Sequence, residues 1–451
     1  MGFLQGLIDT INSASGQIYE VGGPVRDQLL GINQPKDIDL IVCEIPLKDL
    51  KKILKKQGEI SLVGQAFGVI KFRPRNEDFT VDISLPRKEI STGSGHRDFA
   101  VDFDHTLPIE DDLGRRDFTI NAMARNCLTG ELIDPYHGQT DLADKVLRMV
   151  SPSSFIDDPL RMLRGVQFAA RFDLAVEQST VDAMTQHAAL IDTVSPERIA
   201  EELNKLLEKA TKPSIGFELM RQTGLLEQVI PELAQTIGVD QPGGYHRWDV
   251  YKHTLKVLDA TPPKLTIRLA ALFHDLAKPQ TKQLTETGAS FYGHDKFGQK
   301  IAEGILKRLR YSNTIIKQVK ILVGRHMFSE NAGEKGIRRL INKVGPELIF
   351  DLIDLRRADT IGQGMGQTTE SINEFAKKVK YEFDQRNAFG VKDLNIDGEI
   401  LKKHFNLPEG KLIGDILNYL LDKVLDDPKL NDSKELLTLS ADFLAKRQLD
   451  I

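Results

Sequence analysis

The stretch Val21–Val42, VGGPVRDQLLGINQPKDIDLIV, decides how the first third of the chain is read. It sets two glycines, an arginine and an aspartate at the start of one apolar run, then places Asp37 and Asp39 inside the next. Side chains alternate faces along a strand, so Ile38, Leu40 and Val42 point into a core while Asp37 and Asp39 share the other face, roughly 7 Å apart at Cα. Buried like charges of this kind are costly unless a hard cation neutralises them. Upstream, Gly22 and Gly23 end a strand and open a helix near Pro24, so backbone N–H groups face outward beside Arg26, an arrangement that suits a phosphate. The segment therefore predicts a metal–triphosphate site, with Asp37 and Asp39 on Mg²⁺ and Gly23 and Arg26 on the phosphates.

Later segments add to this set. In DFTVDISLPR, alternation sends Phe79, Val81, Ile83 and Leu85 inward and Asp82 outward with Thr80 and Ser84. A third carboxylate on a neighbouring strand serves a phosphoryl-transfer site as a second ligand or as base for an attacking hydroxyl. DDLGRRDFTINAMA supplies Arg115 and Arg116 as charge for a triphosphate, and Asp117 and Asn121 as small polar groups for a ribose hydroxyl. DDPLRMLRGVQFAARF spaces Asp158, Arg161 and Arg164 by three, which puts them on one face of a helix.

The frame around these motifs is that of a multidomain globular protein. A chain of 451 residues with 41% hydrophobic content exceeds one hydrophobic core. Two cysteines, Cys43 and Cys127, build neither a disulfide framework nor a thiolate metal site, which fits the cytoplasm. Met1–Ser13 lacks the features of a signal peptide, and no apolar run approaches ~20 residues, so no membrane association is expected. A net charge of −5 argues against indiscriminate nucleic-acid binding, yet Lys300–Lys343 holds eleven Lys/Arg against three Asp/Glu. That basic face suits a phosphate backbone. Organisation changes near residue 140. Before it, GQIYEV, DIDLIVC, EISLV, GVIKF, DFTVDISL and FTINAMA read as strands; after it, apolar residues recur at helical spacing, with DQPGGYHRW as a linker.

Read in order, GGPVRD, DIDL, RRDFTINAM, DDPLRMLR and SPERIAEELNKLL resemble the class II tRNA nucleotidyltransferases, the bacterial CCA-adding enzymes of the polymerase β superfamily. The resemblance runs over roughly Tyr19–Leu207. It implies an α/β nucleotidyltransferase head over 1–140, an all-α neck over 141–240 and, further on, a body over 241–380 and a helical tail over 381–451. It also implies untemplated addition of C, C and A to the 3′ end of tRNA from CTP and ATP. By resemblance Asp37 and Asp39 ligate metal, with Asp82 beside them as a catalytic candidate. Gly23, Arg26 and Arg116 contact the triphosphate, Asp117 and Asn121 hold the sugar, and Asp158 and Arg161 read the base; Gly22, Arg115 and Arg164 join them as nucleotide-binding candidates. Chemistry supports the last pair: cytosine and adenine each offer an amino donor beside a ring acceptor, which one carboxylate and one guanidinium match. The family usually has Glu at Asp157 and, in many members, Arg at Gln167; both departures bear on nucleotide selection. Arg87–Pro108 resembles the family's flexible loop for the final A. An A-adding or CC-adding enzyme and a bacterial poly(A) polymerase share the head motifs, and an RNA-binding protein with inactive domains is the non-enzymatic alternative.

The C-terminal half carries a second constellation. Five of ten histidines fall between His246 and His326, and KHTLKVLD, LFHDLAKP, YGHDKFG, GRHMF and LRRADTIG supply His253, His274, Asp275, His294, His326 and Asp359. Imidazoles mixed with carboxylates suit one or two divalent transition-metal ions. Their order resembles the HD phosphohydrolase superfamily, which implies a metal-dependent phosphohydrolase body, with cyclic 2′,3′-phosphates at RNA ends as the suggested substrate.

Overall fold

Seven strands form a mixed sheet in the order β3-β4-β5-β2-β1-β8-β9, from β1 (Gln17–Val21), β2 (Asp39–Cys43), β3 (Gly58–Val63), β4 (Val69–Pro74), β5 (Val81–Ser84), β8 (Ala124–Asn126) and β9 (Leu132–Ile133). The remaining early pair, β6 (Arg87–Ser91) and β7 (Phe99–Phe103), is a separate antiparallel ribbon. The computed structural model describes residues 2–32, 38–63, 69–91, 99–286 and 288–449. Asp37 and residues 92–98 of the Arg87–Pro108 loop lie outside them.

The two faces of the sheet are set by strand alternation. Leu40, Val42, Val81 and Ile83 pack with Leu7 and Ile11 of the Gly2–Ser13 helix and Leu50 and Leu54 of the Leu47–Gln57 helix, with Ile38 partly buried against them. Tyr19, Val21, Ile41 and Cys43 meet Ile109 and Leu113 of the Ile109–Gly114 helix on the opposite face. Asp39 shares that second face with Ile41, and the parallel β2–β5 register sets Asp39 directly opposite Asp82.

Two expectations for this region are corrected. FTINAMA is not a strand: Thr119–Asn121 is a 3₁₀ turn, and pairing resumes only at Ala124. Side-chain bonds impose the turn, with Asp117 Oδ1 accepting from Phe118 N at 2.8 Å and Asn121 Nδ2 at 3.0 Å, and Thr119 Oγ1 donating to Asp141. Phe79 is not inward-facing; it precedes β5 and is 39% exposed.

From residue 138 onward the chain is mainly helical, with two small exceptions, the parallel pair Val146–Leu147/Ala175–Val176 and the antiparallel pair Gln283–Thr285/Gly288–Ser290. The Leu160–Phe172 helix packs on Pro196–Lys209. Chain contacts divide the molecule into units Met1–Pro231 and Glu232–Ile451. In the second unit, Leu265–Phe273 is buried nearly all round, between Val250–Ala260, Asn313–Arg325 and Ile349–Gly362. A C-terminal cluster closes on Leu401, Ile416, Leu420 and Leu436. DQPGGYHRW is not a free linker: Gln241 Nε2 donates to Trp248 O and Pro242 O accepts from Ala289 N, so the stretch is tied into the second unit. Among the described residues no helix is long and apolar enough to cross a membrane.

Candidate active sites

In the first unit a cavity of about 470 Å³ gathers Gly23, Arg26, Asp39, Arg115, Arg116 and Asp117, together with Asn121, Asp158, Arg161, Arg164 and Gln167. Asp39 and Asp82 stand opposite each other on neighbouring parallel strands, which lie about 4.8 Å apart, and their carboxylates are the hard oxygen donors that suit a divalent cation such as Mg²⁺. Lys71 Nζ, 3.1 Å from Asp82, offsets part of the charge.

Arg26, Arg115, Arg116 and Arg164 are each held by an acid. Asp112, wholly buried, takes Arg115 on Oδ1 at 2.7 Å and Arg116 on Oδ2 at 3.2 Å. Burial alone would raise its carboxyl, but Arg116 and Arg115 outweigh that and hold it below its ordinary value. Arg116 Nη1 also donates to Asn121 O. Arg26 is buried, lies 4.5 Å from the Phe172 ring centroid, and donates to Asp27 and to Asn121 Oδ1 at 2.5 Å. Asn121 passes the link on to Asp117, whose Oδ2 receives Arg164 Nε at 2.7 Å. Arg164 and Asn121 keep Asp117 ionised below its ordinary value against the burial that would raise it. A relay Arg26–Asn121–Asp117–Arg164 thus lines the cavity, and most of its bonding capacity is spent internally.

Asp158 does not lie on the helix with Arg161 and Arg164. It precedes Leu160–Phe172 in extended conformation, with Oδ1 accepting from Leu160 N at 3.2 Å and Oδ2 from Arg198 at 2.9 Å. Arg161 donates from Nη1 to Ser154 Oγ at 3.2 Å and Ser154 O at 3.3 Å. Asp157 turns away to accept from Ser153 Oγ at 2.9 Å. The guanidinium of Arg161 is therefore oriented by fully buried Ser154. Gln167 is 2% exposed, and among the described residues its Oε1 has no hydrogen-bond partner.

In the second unit the six expected ligands converge in two groups, His253–His274–Asp359 and Asp275–His294–His326. Asp275 joins them: Oδ2 lies 3.4 Å from His253 Nε2 and 3.1 Å from His274 Nε2, while Oδ1 lies 3.5 Å from His294 Nε2 and 3.9 Å from His326 Nε2. The Nδ1 atoms of His274, His294 and His326 each sit 2.7 Å from a main-chain carbonyl, of Ala271, Phe291 and Val323. A carbonyl only accepts, so Nδ1 carries the proton and the Nε2 lone pair points inward. Two such lone pairs face each other at 3.2 Å between His294 and His326, and His253 Nε2 lies 3.3 Å from His274 Nε2. Facing lone pairs repel, whereas donors around one ion at about 2.1 Å sit about 3.0–3.4 Å apart, so the residues fit divalent ions. Neither oxygen of Asp275 receives a well-aligned hydrogen bond, although Lys278 Nζ lies 2.6 Å from Oδ2. Burial pushes the His326 imidazole down to about 3, which keeps it neutral.

Several of these residues carried no role in the sequence reading. Asp112 and Arg198 lie inside quoted motifs, and Lys278 follows His274 by four, yet an acid on a short helix or a base on an amphipathic one looks like solvated surface until the fold closes around it.

Three family models match the chain: the poly A polymerase head domain over residues 18–148, a probable RNA- and SrmB-binding site of polymerase A over 173–237, and the HD domain over 243–362. A multifunctional CCA protein of Methylobacillus flagellatus is 37% identical over 326 residues, 69% of this chain and 73% of that protein. That of Cupriavidus metallidurans is 35% identical over 77% of this chain and 85% of its own. Among solved structures, the Bacillus stearothermophilus CCA-adding enzyme in complex with CTP superposes with TM-score 0.72 at 20% identity, covering 99% of this chain and 98% of that one, a likeness of fold.

Proposed function

The chain belongs to the family of multifunctional CCA proteins, and from that membership we propose that it adds C, C and A in turn to the 3′ end of tRNA, using CTP and ATP. The observation that carries the proposal is the single cavity lined by Asp39, the clamped Arg116 and the Asp158 and Arg161 pair. It joins cation, triphosphate and base recognition in one place.

In the proposed step the terminal 3′-hydroxyl oxygen of the tRNA attacks the α-phosphorus. A phosphodiester bond forms, the α–β bridge breaks, and pyrophosphate leaves. Asp37 and Asp39, with Asp82 alongside, would hold Mg²⁺, which when bound would offset the charge of the triphosphate and of the attacking oxygen. Arg115 and Arg116 offer guanidinium N–H groups to the phosphates, with Asp112 fixing both forks. Gly22 and Gly23 keep the turn free of side chains for the phosphates, with Arg26, bonded to Asp27 and Asn121, as the cation beside it. Asp117 and Asn121, already fixed by Arg164 and Arg26, present their remaining lone pairs to a sugar hydroxyl. Asp158 accepts the base amino group and Arg161 donates to the ring nitrogen. We assign the head to 1–140, the neck to 141–240, the body to 241–380 and the tail to 381–451.

A second activity is proposed for the HD body, on the inward Nε2 lone pairs and the bridging Asp275. Divalent transition-metal ions held there would generate a hydroxide that attacks a phosphoester such as a cyclic 2′,3′-phosphate at an RNA end. Cytoplasmic residence suits both cysteines: burial pushes the Cys43 thiol up to about 12 and Cys127 up to about 11, leaving no reactive thiolate.

The test is extension of tRNA lacking its CCA end, with CTP and ATP, read on a sequencing gel. Three added nucleotides in the order C, C, A are expected. A single A, a stop after CC, or an A tail would replace the proposal with the A-adding, CC-adding or poly(A) alternative. No pyrophosphate release would leave an RNA-binding protein.

A further inference from the structure

The basic stretch noticed in the sequence remains unassigned by either activity, and part of it frames a groove. The helices His294–Arg308 and Asn313–Arg325 pack against each other, and between them runs a groove of about 660 Å³. Lys296, Lys300 and Arg325 line it, all exposed, and among the described residues none of the three is tied into an ion pair. By contrast Lys320, also in the groove, is paired with Glu303. Glu303 is held down to about 2 by Lys307 and Lys320, so its charge is already committed. The floor is kept low at Gly324, where Gln299 lies so close that an added Cβ would overlap it. On the rim, Phe297 is 53% exposed, and Lys300 Nζ stands 6.0 Å from its ring centroid.

The groove adjoins the HD site. Asp295 lines both the groove and the cavity of about 520 Å³ that contains His294, His326 and Asp359. Lys296 and Phe297 lie two and three residues after the ligand His294, and Arg325 directly precedes the ligand His326, so the two features share their helix ends. Three cations outside any ion pair beside one exposed aromatic ring form the pattern that binds a single-stranded nucleic acid, with phosphates on the cations and a base on the ring.

We propose that this groove is a docking site for single-stranded RNA, which leads a 3′-terminal segment into the HD site. The proposal rests on the reading of that site as a phosphohydrolase. It makes RNA ends, rather than free mononucleotides, the substrates the site handles best. A cationic groove without a ring would hold a duplex as readily; the exposed Phe297 face needs an unstacked base.

The test compares a short RNA ending in a 2′,3′-cyclic phosphate with a 2′,3′-cyclic mononucleotide, both hydrolysed by the metal-loaded full chain. KM for the RNA is expected to be at least tenfold lower. Lys296→Ala, Lys300→Ala and Arg325→Ala together should erase that advantage, change mononucleotide turnover less than twofold, and reduce the log–log salt slope for RNA by about 2, since each single-strand phosphate contact contributes about 0.7. In parallel, RNA carrying 4-thiouridine near its 3′ end should photo-crosslink to the peptide 295–300, and Phe297→Ala should abolish the crosslink. Equal KM values for the two substrates, or a crosslink confined to other segments, would overturn the groove while leaving the hydrolase intact. If neither substrate is cleaved the phosphohydrolase reading fails, and the crosslink alone then decides the groove.

Discussion

Arg116 occupies the space that a side chain at position 22 would fill: a Cβ built on Gly22 would lie 2.4 Å from Arg116 Nη1. Gly22 also has φ +73°, in the left-handed region. Glycine is therefore required twice, once by the backbone and once by the guanidinium that passes over it. Gly22→Ala is expected to displace Arg116 from the cavity, at a backbone cost of about 1–2 kcal/mol. Steady-state kinetics should show KM for both CTP and ATP raised at least tenfold, with far-UV circular dichroism unchanged. Normal KM values for both nucleotides would remove Arg116 from the triphosphate.

Asp112 holds Arg115 and Arg116 from a fully buried position, so removing its charge takes from both guanidinium groups the acid that fixes them. Asp112→Asn should cost about 3–5 kcal/mol of stability, the range for breaking a buried ion pair on one side, together with a large loss of nucleotide addition. The sign with pH follows from the depressed carboxyl. A group whose folded pKa lies below its unfolded value stabilises the fold above the unfolded value, about 3.9, and loses that contribution as pH falls through the folded value. Urea unfolding should thus show a constant gap between wild type and variant from pH 5 to 8 that narrows only below about pH 4. A gap that widens in acid would contradict the assignment.

What the sequence revealed and what it hid divides along physical lines. Asp39 and Asp82 stood out because period-two alternation marks any charge inside a strand, and the parallel register then sets them side by side. The histidines stood out because imidazole is rare and the order of the motifs is long. FTINAMA misled because its β-branched and aromatic residues fit a strand, whereas the bonds of Asp117 and Asn121 to their own neighbours fold it into a turn. Ser154 and Arg198 were invisible for a different reason. Their partners, Arg161 and Asp158, lie seven and forty residues away, and only the packing of the Leu160–Phe172 and Pro196–Lys209 helices brings Arg198 to Asp158.

The bridging position of Asp275 separates it from the other acids of the second unit. Asp275→Asn removes the charge shared by both ligand groups, so the bound transition metal measured by mass spectrometry should fall by more than half, with phosphohydrolase activity down at least a hundredfold. Nucleotide addition depends on ligands in the other unit and should stay within twofold of wild type. Parallel loss of both activities would assign Asp275 to folding or tRNA docking.

The last expectation concerns how Arg161 is aimed. Ser154 provides the oxygens that orient its guanidinium, since the shortened Asp157 is bonded to Ser153 instead. Arg161→Ala should remove the donor to cytosine N3 and adenine N1 while the triphosphate contacts persist. A bidentate contact contributes about 1–3 kcal/mol of discrimination, so preference for CTP and ATP over UTP and GTP should fall by roughly ten- to a hundredfold. Ser154→Ala retains the guanidinium and the main-chain carbonyl and deletes one of the two hydrogen bonds that aim it, so its effect on preference should be smaller than that of Arg161→Ala, less than about tenfold. Incorporation of all four nucleotides on tRNA ending before its CCA measures both. A Ser154→Ala enzyme as unselective as Arg161→Ala would mean that the hydroxyl itself contacts the base, and an Arg161→Ala enzyme with full preference would place base reading elsewhere, with buried Gln167 and its unpartnered Oε1 the next residue to replace.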